Sequence, residues 1–247
     1  MHGGNEDRED RINWSVRKRH AEERGAAEYS WLHARFTFSF AEYFDPDHIR
    51  FHSLVVMNND VIEPGGGFQT HPHKDAEIFT YVMSGQLEHK DSMGNGAIIE
   101  AGNLQYISAG SGVLHSEFNP SQNSQTELYQ IWLHPKQTGG EPRYAEKKLG
   151  EAAKENALTL LFAGKEKDYA IVIRQDAEIS FGKLDEGRSL EVPASEHSHA
   201  WVQVMNGELE LLGETLKRAD GLAISNHPDA FTINASQAAS FLLFRLS

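Results

Sequence analysis

The sequence predicts an all-β protein, built as a sandwich or a barrel, and three observations support this fold class. Segments with the apolar and polar alternation of half-buried strands recur along the chain. They follow one another at roughly the ten-residue spacing that strands have in sandwiches and barrels. Glycine, asparagine and aspartate, which tolerate the backbone angles of tight turns, interrupt them. Together these features favour many short strands joined by turns.

The first series of predicted strands starts in the segment from Phe36 to Phe40, where every second residue is aromatic. A polar trio from Asn58 to Asp60 is expected to form a turn, as are residues 65–67 (Gly-Gly-Gly) and Ser84-Gly85. Further strands of this series are expected over residues 53–57, 77–83, 86–90, 97–100, 104–108 and 128–133.

A second series of strands follows residue 158, and a short motif recurs in both series. Residues 82–88 read VMSGQLE and residues 204–210 read VMNGELE, which predicts a hairpin in each half and two copies of one β-barrel module. The strands of the second series are expected over residues 158–162, 169–174, 177–181, 189–192, 201–205, 208–212, 221–225, 230–234 and 239–246.

These patterns divide the chain into four predicted parts. Residues 1–30 are expected to form a polar lead, and residues 31–135 the first barrel. Residues 136–157 contain proline, a glycine pair and a charged stretch, and are interpreted as a connection. Residues 158–247 are expected to form the second barrel.

Composition excludes several classes of partner. The formal net charge of −13 disfavours nucleic acid or an anionic membrane as the main partner. The chain has no cysteine, so it has no disulfide, no thiolate metal site and no cysteine nucleophile. No apolar run is long enough to span a bilayer, and residues 1–11 lack the apolar core of a signal peptide. We therefore expect a cytoplasmic protein.

Two short runs carry potential metal ligands. The first is His71-Pro72-His73, and the second is His115-Ser116-Glu117. Residues two apart on a strand point to the same side, so each run can present two ligands together. Three imidazoles and one carboxylate suit a first-row divalent metal. If the two runs lie on facing strands of one barrel, the four side chains converge in its interior.

The other histidines of the chain are expected to be uninvolved. A second pair, His197 and His199, resembles the first, but no His-x-Glu run follows it, and the next histidine is His227. We expect this pair to lie in a solvated loop, and the second barrel to bury surface against the first. The remaining candidates are interpreted as surface residues, and they are His20, His33, His48, His89 and His134.

At these residues the sequence resembles the cupin superfamily and, within it, the pirin family. The first cupin motif, Gly-x5-His-x-His-x3-Glu, reads here as Gly65, His71, His73 and Glu77, and the end of the second, Gly-x2-His-x3-Asn, as Gly112, His115 and Asn119. The pirin form is closer, with residues 70–74 (THPHK), 88–92 (EHKDS) and 108–117 (SAGSGVLHSE). The resemblance is strong from about residue 31 to residue 144, and it includes the aromatic segment at residues 36–40.

This resemblance implies a bicupin, two stacked antiparallel β-barrels of the jelly-roll type with few short helices, in which only the first barrel binds metal. The implied ligands are His71, His73, His115 and Glu117. Glu77 holds the position of the usual cupin carboxylate, and it faces the same side as His73 if the strand is unbroken. Glu117 and Glu77 are therefore the candidate catalytic carboxylates, with Glu77 as a base or as a support for the ligands.

The resemblance also implies an activity, since bacterial pirin relatives are described as quercetin 2,3-dioxygenases. We expect one divalent transition metal, Fe(II) being favoured and Mn, Ni, Cu or Zn possible, with a small aromatic substrate and dioxygen. The alternatives are a non-catalytic metal-binding regulator that acts through protein contacts, and an enzyme for another small molecule. The aromatic residues expected to line the substrate pocket are Phe36, Phe38, Phe40, Phe68, Phe118 and Trp132.

Overall fold

The structure, a computed structural model, describes residues 14–167, 169–227 and 229–247. Nearly all regular structure in this part of the chain is β-strand, as the sequence predicts, with one 3-10 turn at Ala21–Glu23 and one short helix, α1, at Leu149–Ala152. Among the described residues, no helix has the length and apolar character needed to cross a membrane.

The first half of the chain contributes twelve strands. They are β1 Ser15–Arg19, β2 Gly25–Glu28, β3 Leu32–Phe36, β4 Leu54–Ile62, β5 Gly67–His73, β6 Glu77–Ser84, β7 Gln86–Asp91, β8 Gly96–Glu100, β9 Asn103–Ser108, β10 Val113–Phe118, β11 Thr126–Leu133 and β12 Arg143–Lys148. Two antiparallel sheets form from them, one in the order β12-β9-β6-β11-β4-β3-β2 and one in the order β5-β10-β7-β8. Buried side chains from both sheets pack together, among them Phe36, Val82, Leu87 and Leu128. This half is therefore a sandwich of two sheets rather than a closed barrel.

The second half forms one large sheet that also takes in β1. Its strands are β13 Ala157–Ala163, β14 Ile171–Val172, β15 Ala177–Leu184, β16 Ser189–Val192, β17 His199–Leu211, β18 Glu214–Lys217, β19 Gly221–Ser225 and β20 Phe231–Leu246. The order is β1-β19-β17-β20-β15-β13-β14, with β16 on β20 and β18 on β17. All pairs are antiparallel except the short β13–β14 pair. An aliphatic core lies inside this half.

The two halves share one hydrophobic core. The outer face of the larger first-half sheet contributes Phe79 and Tyr106, and the second half contributes Phe162, with ring centroids 4.8 Å and 5.5 Å from those two rings. Phe38 packs against Trp201 in the same core. The second half thus covers the outer face of the larger sheet, whose other face packs against the smaller sheet with β5 and β10.

Several predicted segments differ from the observed ones. In the segment from Phe36 to Phe40, Phe36 ends β3 and the rest is a loop. The Ser39 hydroxyl donates to the Asp45 carbonyl oxygen and accepts from the Asp45 amide, and Ala41 has a positive φ of 50°. Residues 58–60 are not a turn and lie inside β4. Strands β1, β2 and β12 occupy ranges that the sequence predicts to be a lead or a connection, and the first 13 residues of that lead lie outside the described residues.

The repeated motif is not a hairpin: it joins two sheets in the first half and lies within one strand in the second. In the first copy β6 belongs to the larger sheet and β7 to the smaller, and Gly85 between them has a φ of +76°. A Cβ at Gly85 would lie 2.6 Å from the carbonyl oxygen of Gln125, so a larger residue does not fit. In the second copy β17 continues through Gly207 with shifts of register. The motif therefore marks a bend in each half.

Candidate metal centre

Strands β5 and β10 bring the three predicted histidine ligands together. The two strands are antiparallel neighbours, and their register sets His115 opposite His71. The Nε2 atoms of His71 and His115 lie 3.0 Å apart, and the ring of His73 has its centroid 4.8 Å from each of the other two. One nitrogen from each ring lies within 4.8 Å of the others. Alternation predicted the pairing within each run, whereas the two runs meet because β5 and β10 are neighbours in one sheet and not, as expected, facing strands.

The environment keeps His73 and His115 neutral. Burial, together with repulsion from His71, lowers the pKa of His73 to about 4, and burial with repulsion from both neighbours lowers the pKa of His115 to about 3. Nδ1 of His71 lies 2.7 Å from the carbonyl oxygen of Gln69, which can only accept, so Nδ1 carries the proton and Nε2 holds a lone pair. Neutral rings with free lone pairs are what a divalent transition metal binds.

Glu117 lies beside the three histidines and is almost fully buried. Its carboxylate accepts hydrogen bonds from the Thr80 hydroxyl (3.3 Å), the Gln105 amide (3.2 Å) and the Gln130 amide (2.6 Å). Burial raises the pKa of Glu117 to about 7, although these three hydrogen bonds oppose the rise. A carboxylate oxygen of Glu117 lies within 4.8 Å of a ring nitrogen of His115, but not of all three histidines.

The residues fit a bound cation. The three groups that donate to Glu117 are neutral, and a buried carboxylate surrounded by neutral donors is costly unless a positive charge compensates it. Nδ1 of His115 is buried and lacks a hydrogen-bond partner among the described residues, so no protein group competes for that nitrogen. A divalent ion among these side chains would use the lone pairs and compensate the carboxylate.

Glu77 is not at this site, which corrects the prediction that it is a base or a support for the ligands. Strand β5 ends at His73 and β6 begins at Glu77, and Asp75 between them has a φ of +50°. The strand is therefore broken, and Glu77 takes the face of β6 that packs on the second half. Its carboxylate accepts hydrogen bonds from the Tyr106 and Ser108 hydroxyls (both 2.5 Å) and the Arg174 backbone amide (2.9 Å).

His89, which the sequence suggests is a surface residue, is fully buried at the site. Its Nε2 donates to Asp91 (3.0 Å), its ring stacks on Tyr144, and one of its nitrogens lies within 4.8 Å of ligand atoms of His115 and Glu117. Burial lowers the pKa of His89 despite the neighbouring carboxylate. Alternation along the strand could have predicted that His89 faces the interior, because Leu87, His89 and Asp91 share the inward face of β7.

A cavity of about 180 Å³ opens against these residues, and we call it the inner cavity. Its walls include three of the six predicted aromatic residues, Phe40, Phe68 and Trp132. The other three lie elsewhere, since Phe36 lines a neighbouring cavity, Phe118 a cleft at residues 65–69, and Phe38 the shared core.

Two polar residues in the wall of the inner cavity were not predicted from the sequence. Asn58 and Asp60 lie on the inward face of β4, each only 3% exposed, and both line the inner cavity. Burial, and then the charge of Glu117, raises the pKa of Asp60 to about 7. A polar residue at every second position between the buried Val56 and Ile62 was the available signal for a strand facing a polar interior.

Comparisons with known proteins identify the family. Residues 17–133 match the family model Pirin, and residues 160–246 match the model of the quercetinase C-terminal cupin domain. A quercetin 2,3-dioxygenase from Escherichia coli K12 is 42% identical over 229 residues, which cover 92% of this chain and 97% of that relative. A pirin-like protein from Caulobacter vibrioides is 35% identical over 220 residues, covering 89% and 94% of the two chains.

A solved structure agrees with both matches. The crystal structure of the bacterial pirin YhhW from Escherichia coli, in complex with nickel(II), superposes with a TM-score of 0.89. It is 39% identical in sequence and covers 94% of this chain and 99% of its own. The chain belongs to the pirin family of cupin proteins.

Proposed function

We propose that this protein is a metal-dependent dioxygenase that cleaves flavonols such as quercetin. The observation that carries the proposal is the convergence of three imidazoles, with Nε2 atoms of two of them 3.0 Å apart, on a cavity with aromatic walls. The 42% identity to an Escherichia coli quercetin 2,3-dioxygenase over nearly the whole chain supports the same activity.

The proposed ligands of one divalent transition metal are His71, His73 and His115, with Glu117 as the fourth. When bound, the ion would supply Lewis-acid activation of the flavonol hydroxyl group. We propose Fe(II) as the first ion to test, because zinc has no redox chemistry to offer dioxygen. Nickel is the second, since the relative YhhW has been crystallised with nickel(II).

The protein side chains then have distinct tasks. Glu117 lines the inner cavity, and its carboxylate can accept the proton of the substrate hydroxyl on one of its Oε atoms. The amide of Gln130 fixes the orientation of that carboxylate by donating to Oε2. Phe40, Phe68 and Trp132 supply apolar walls that orient a flat aromatic ring and exclude water.

The test is anaerobic reconstitution with Fe(II), Mn(II), Ni(II), Cu(II) or Zn(II), followed by oxygen uptake and loss of flavonol absorbance with quercetin. We expect metal-dependent turnover that is lost in His71→Ala and Glu117→Gln. A His115→Ala variant that keeps full activity would contradict the metal mechanism. Tight metal binding without turnover of any flavonol would instead favour the regulator that acts through protein contacts.

A further inference from the structure

Two buried polar residues lie where two cavities of the first half meet. Asn58 and Asp60 line the inner cavity and also a second cavity of about 340 Å³, which we call the side cavity. Phe40 and Phe68 line both cavities as well, so these four residues form the junction between them. The side cavity is otherwise mostly apolar, with Ala27, Ala34, Phe36 and Tyr43 among its walls.

The polar atoms at this junction lack partners. Oδ1 of Asn58 and Oδ1 of Asp60 are buried, and neither has a hydrogen-bond partner among residues 14–167, 169–227 and 229–247. A buried acceptor without a partner costs roughly 1–3 kcal/mol. Oδ1 of Asn58 accepts hydrogen bonds, as does Oδ1 of Asp60 in the ionised carboxylate, so a ligand with hydroxyl groups would satisfy them.

The volumes indicate that the substrate reaches the junction. The inner cavity, about 180 Å³, is smaller than the roughly 300 Å³ at the lower end for small-molecule sites. A ligand anchored at the histidines must therefore extend into a neighbouring space. The side cavity offers that space, and it adjoins the inner cavity at Asn58 and Asp60.

The order of residues along β4 indicates the direction in which the substrate extends from the histidines. Val56 pairs with Trp132, whose ring contacts His73 at a centroid distance of 4.8 Å, so this end of β4 lies beside the histidines. Asp60 lies four residues further along, roughly 13 Å at 3.3 Å per residue. A flavonol anchored at the histidines can therefore direct its phenyl ring along β4 towards Asp60.

Resting on the flavonol cleavage proposed above, we propose that the phenyl ring of the substrate binds at this junction, where Asn58 and Asp60 accept hydrogen bonds from its hydroxyl groups. The hydroxyl and carbonyl groups of the other ring system then face the histidines. The site selects flavonols with a hydroxylated phenyl ring over those in which this ring is unsubstituted.

The test compares quercetin with galangin, which lacks only the two hydroxyl groups of the phenyl ring. Anaerobic fluorescence titration of the metal-loaded protein measures binding without turnover. We expect quercetin to bind roughly ten- to a hundredfold more tightly than galangin. Asp60→Leu should abolish this preference, and Asp60→Asn should keep part of it. Galangin should bind both variants with the affinity that it has for the wild type, which shows that the fold is intact.

Two further variants sharpen the result. Asp47→Asn removes an exposed carboxylate outside both cavities and should keep the full preference. Ala27→Leu, which fills the side cavity, should weaken both flavonols but spare 3-hydroxychromone, which has no phenyl ring. Equal affinities of the wild type for quercetin and galangin, or a full preference in Asp60→Leu, would overturn the proposal.

The experiment separates this proposal from the function on which it rests. A preference for quercetin in binding, without turnover of any flavonol in air, would reject the dioxygenase and retain the binding site. Turnover of both flavonols without any binding preference would retain the dioxygenase and reject the assignment of Asn58 and Asp60.

Discussion

Each half of the molecule carries two histidines one residue apart, and their surroundings differ. In the first half, His71 and His73 lie on β5 and meet His115 from β10. In the second half, His197 lies before β17 and bonds Asp176 at 3.3 Å, while His199 stacks on His52 at a centroid distance of 3.7 Å. A His-x-His pair therefore forms a donor cluster only where a neighbouring strand adds a third ligand.

The interiors of the two halves also differ in polarity. The first half leaves a cavity beside its histidines and lines it with Asn58, Asp60 and Gln130. The second half fills its interior with aliphatic side chains, such as Val204 and Leu222, both 0% exposed. The second half thus covers and supports the first half, as the sequence led us to expect, although His197 is buried rather than solvated.

The largest expected effect tests the two histidine pairs against each other. His73→Ala removes one of three converging rings and should weaken metal binding by more than about 100-fold. His199→Ala, the matched change in the second half, should leave it unchanged. Metal content after dialysis and calorimetric titration measure both. Equal losses in the two variants would break the comparison.

The two interiors can be compared by one substitution made twice. Val204→Ala removes two buried methyl groups from a filled core and should cost about 2–3 kcal/mol of unfolding free energy. Val56→Ala should cost less, because the Val56 side chain borders an existing cavity. Chemical denaturation followed by tryptophan fluorescence measures both, and a larger loss in Val56→Ala would contradict the contrast.

Substitution of Glu77 tests whether this residue stabilises the boundary between the halves or takes part in metal binding. Glu77→Gln replaces an acceptor of three hydrogen bonds by a group with one acceptor oxygen, and should cost about 1–2 kcal/mol of stability. Metal affinity should stay as in the wild type, whereas Glu117→Gln should reduce it. A loss of metal affinity in Glu77→Gln would return this residue to the site.

The smallest expected effect is a pH dependence of the metal-free protein. The folded state raises the pKa of Glu117 to about 7, so folding is favoured while this carboxyl holds its proton, and that stability is lost as the pH rises through 7. Relative to Glu117→Gln, the unfolding free energy of the wild type should fall by about 1 kcal/mol between pH 6 and pH 8.

Two controls accompany the denaturation measurements at these pH values. Glu117→Gln should lose the Glu117 part of this decrease in unfolding free energy. Asp60, whose pKa is also raised to about 7, still titrates in that variant. Saturating divalent metal should remove the loss in the wild type, because the cation stabilises the carboxylate. The same pH dependence in the metal-free wild type and in Glu117→Gln would contradict the assignment.

Local patterns were sufficient for the main features of this protein. Alternation within a strand determines which neighbours share a face, so His71 with His73, and His115 with Glu117, could be paired from the sequence alone. Turn residues and strand spacing likewise predicted an all-β fold in two halves. The family resemblance then supplied which of the candidate residues to combine.

Other features depended on tertiary structure. Alternation relates residues only while a strand is continuous, and the positive φ of Asp75 turns Glu77 away from the histidines. Asn58 and Asp60 have the composition of a turn, yet pairing of β4 with β3 and β11 holds them in a strand. Strand β1 pairs with β19, about two hundred residues away, and no local pattern encodes such a contact. Long-range pairing, rather than local preference, decided which polar side chains face the cavity.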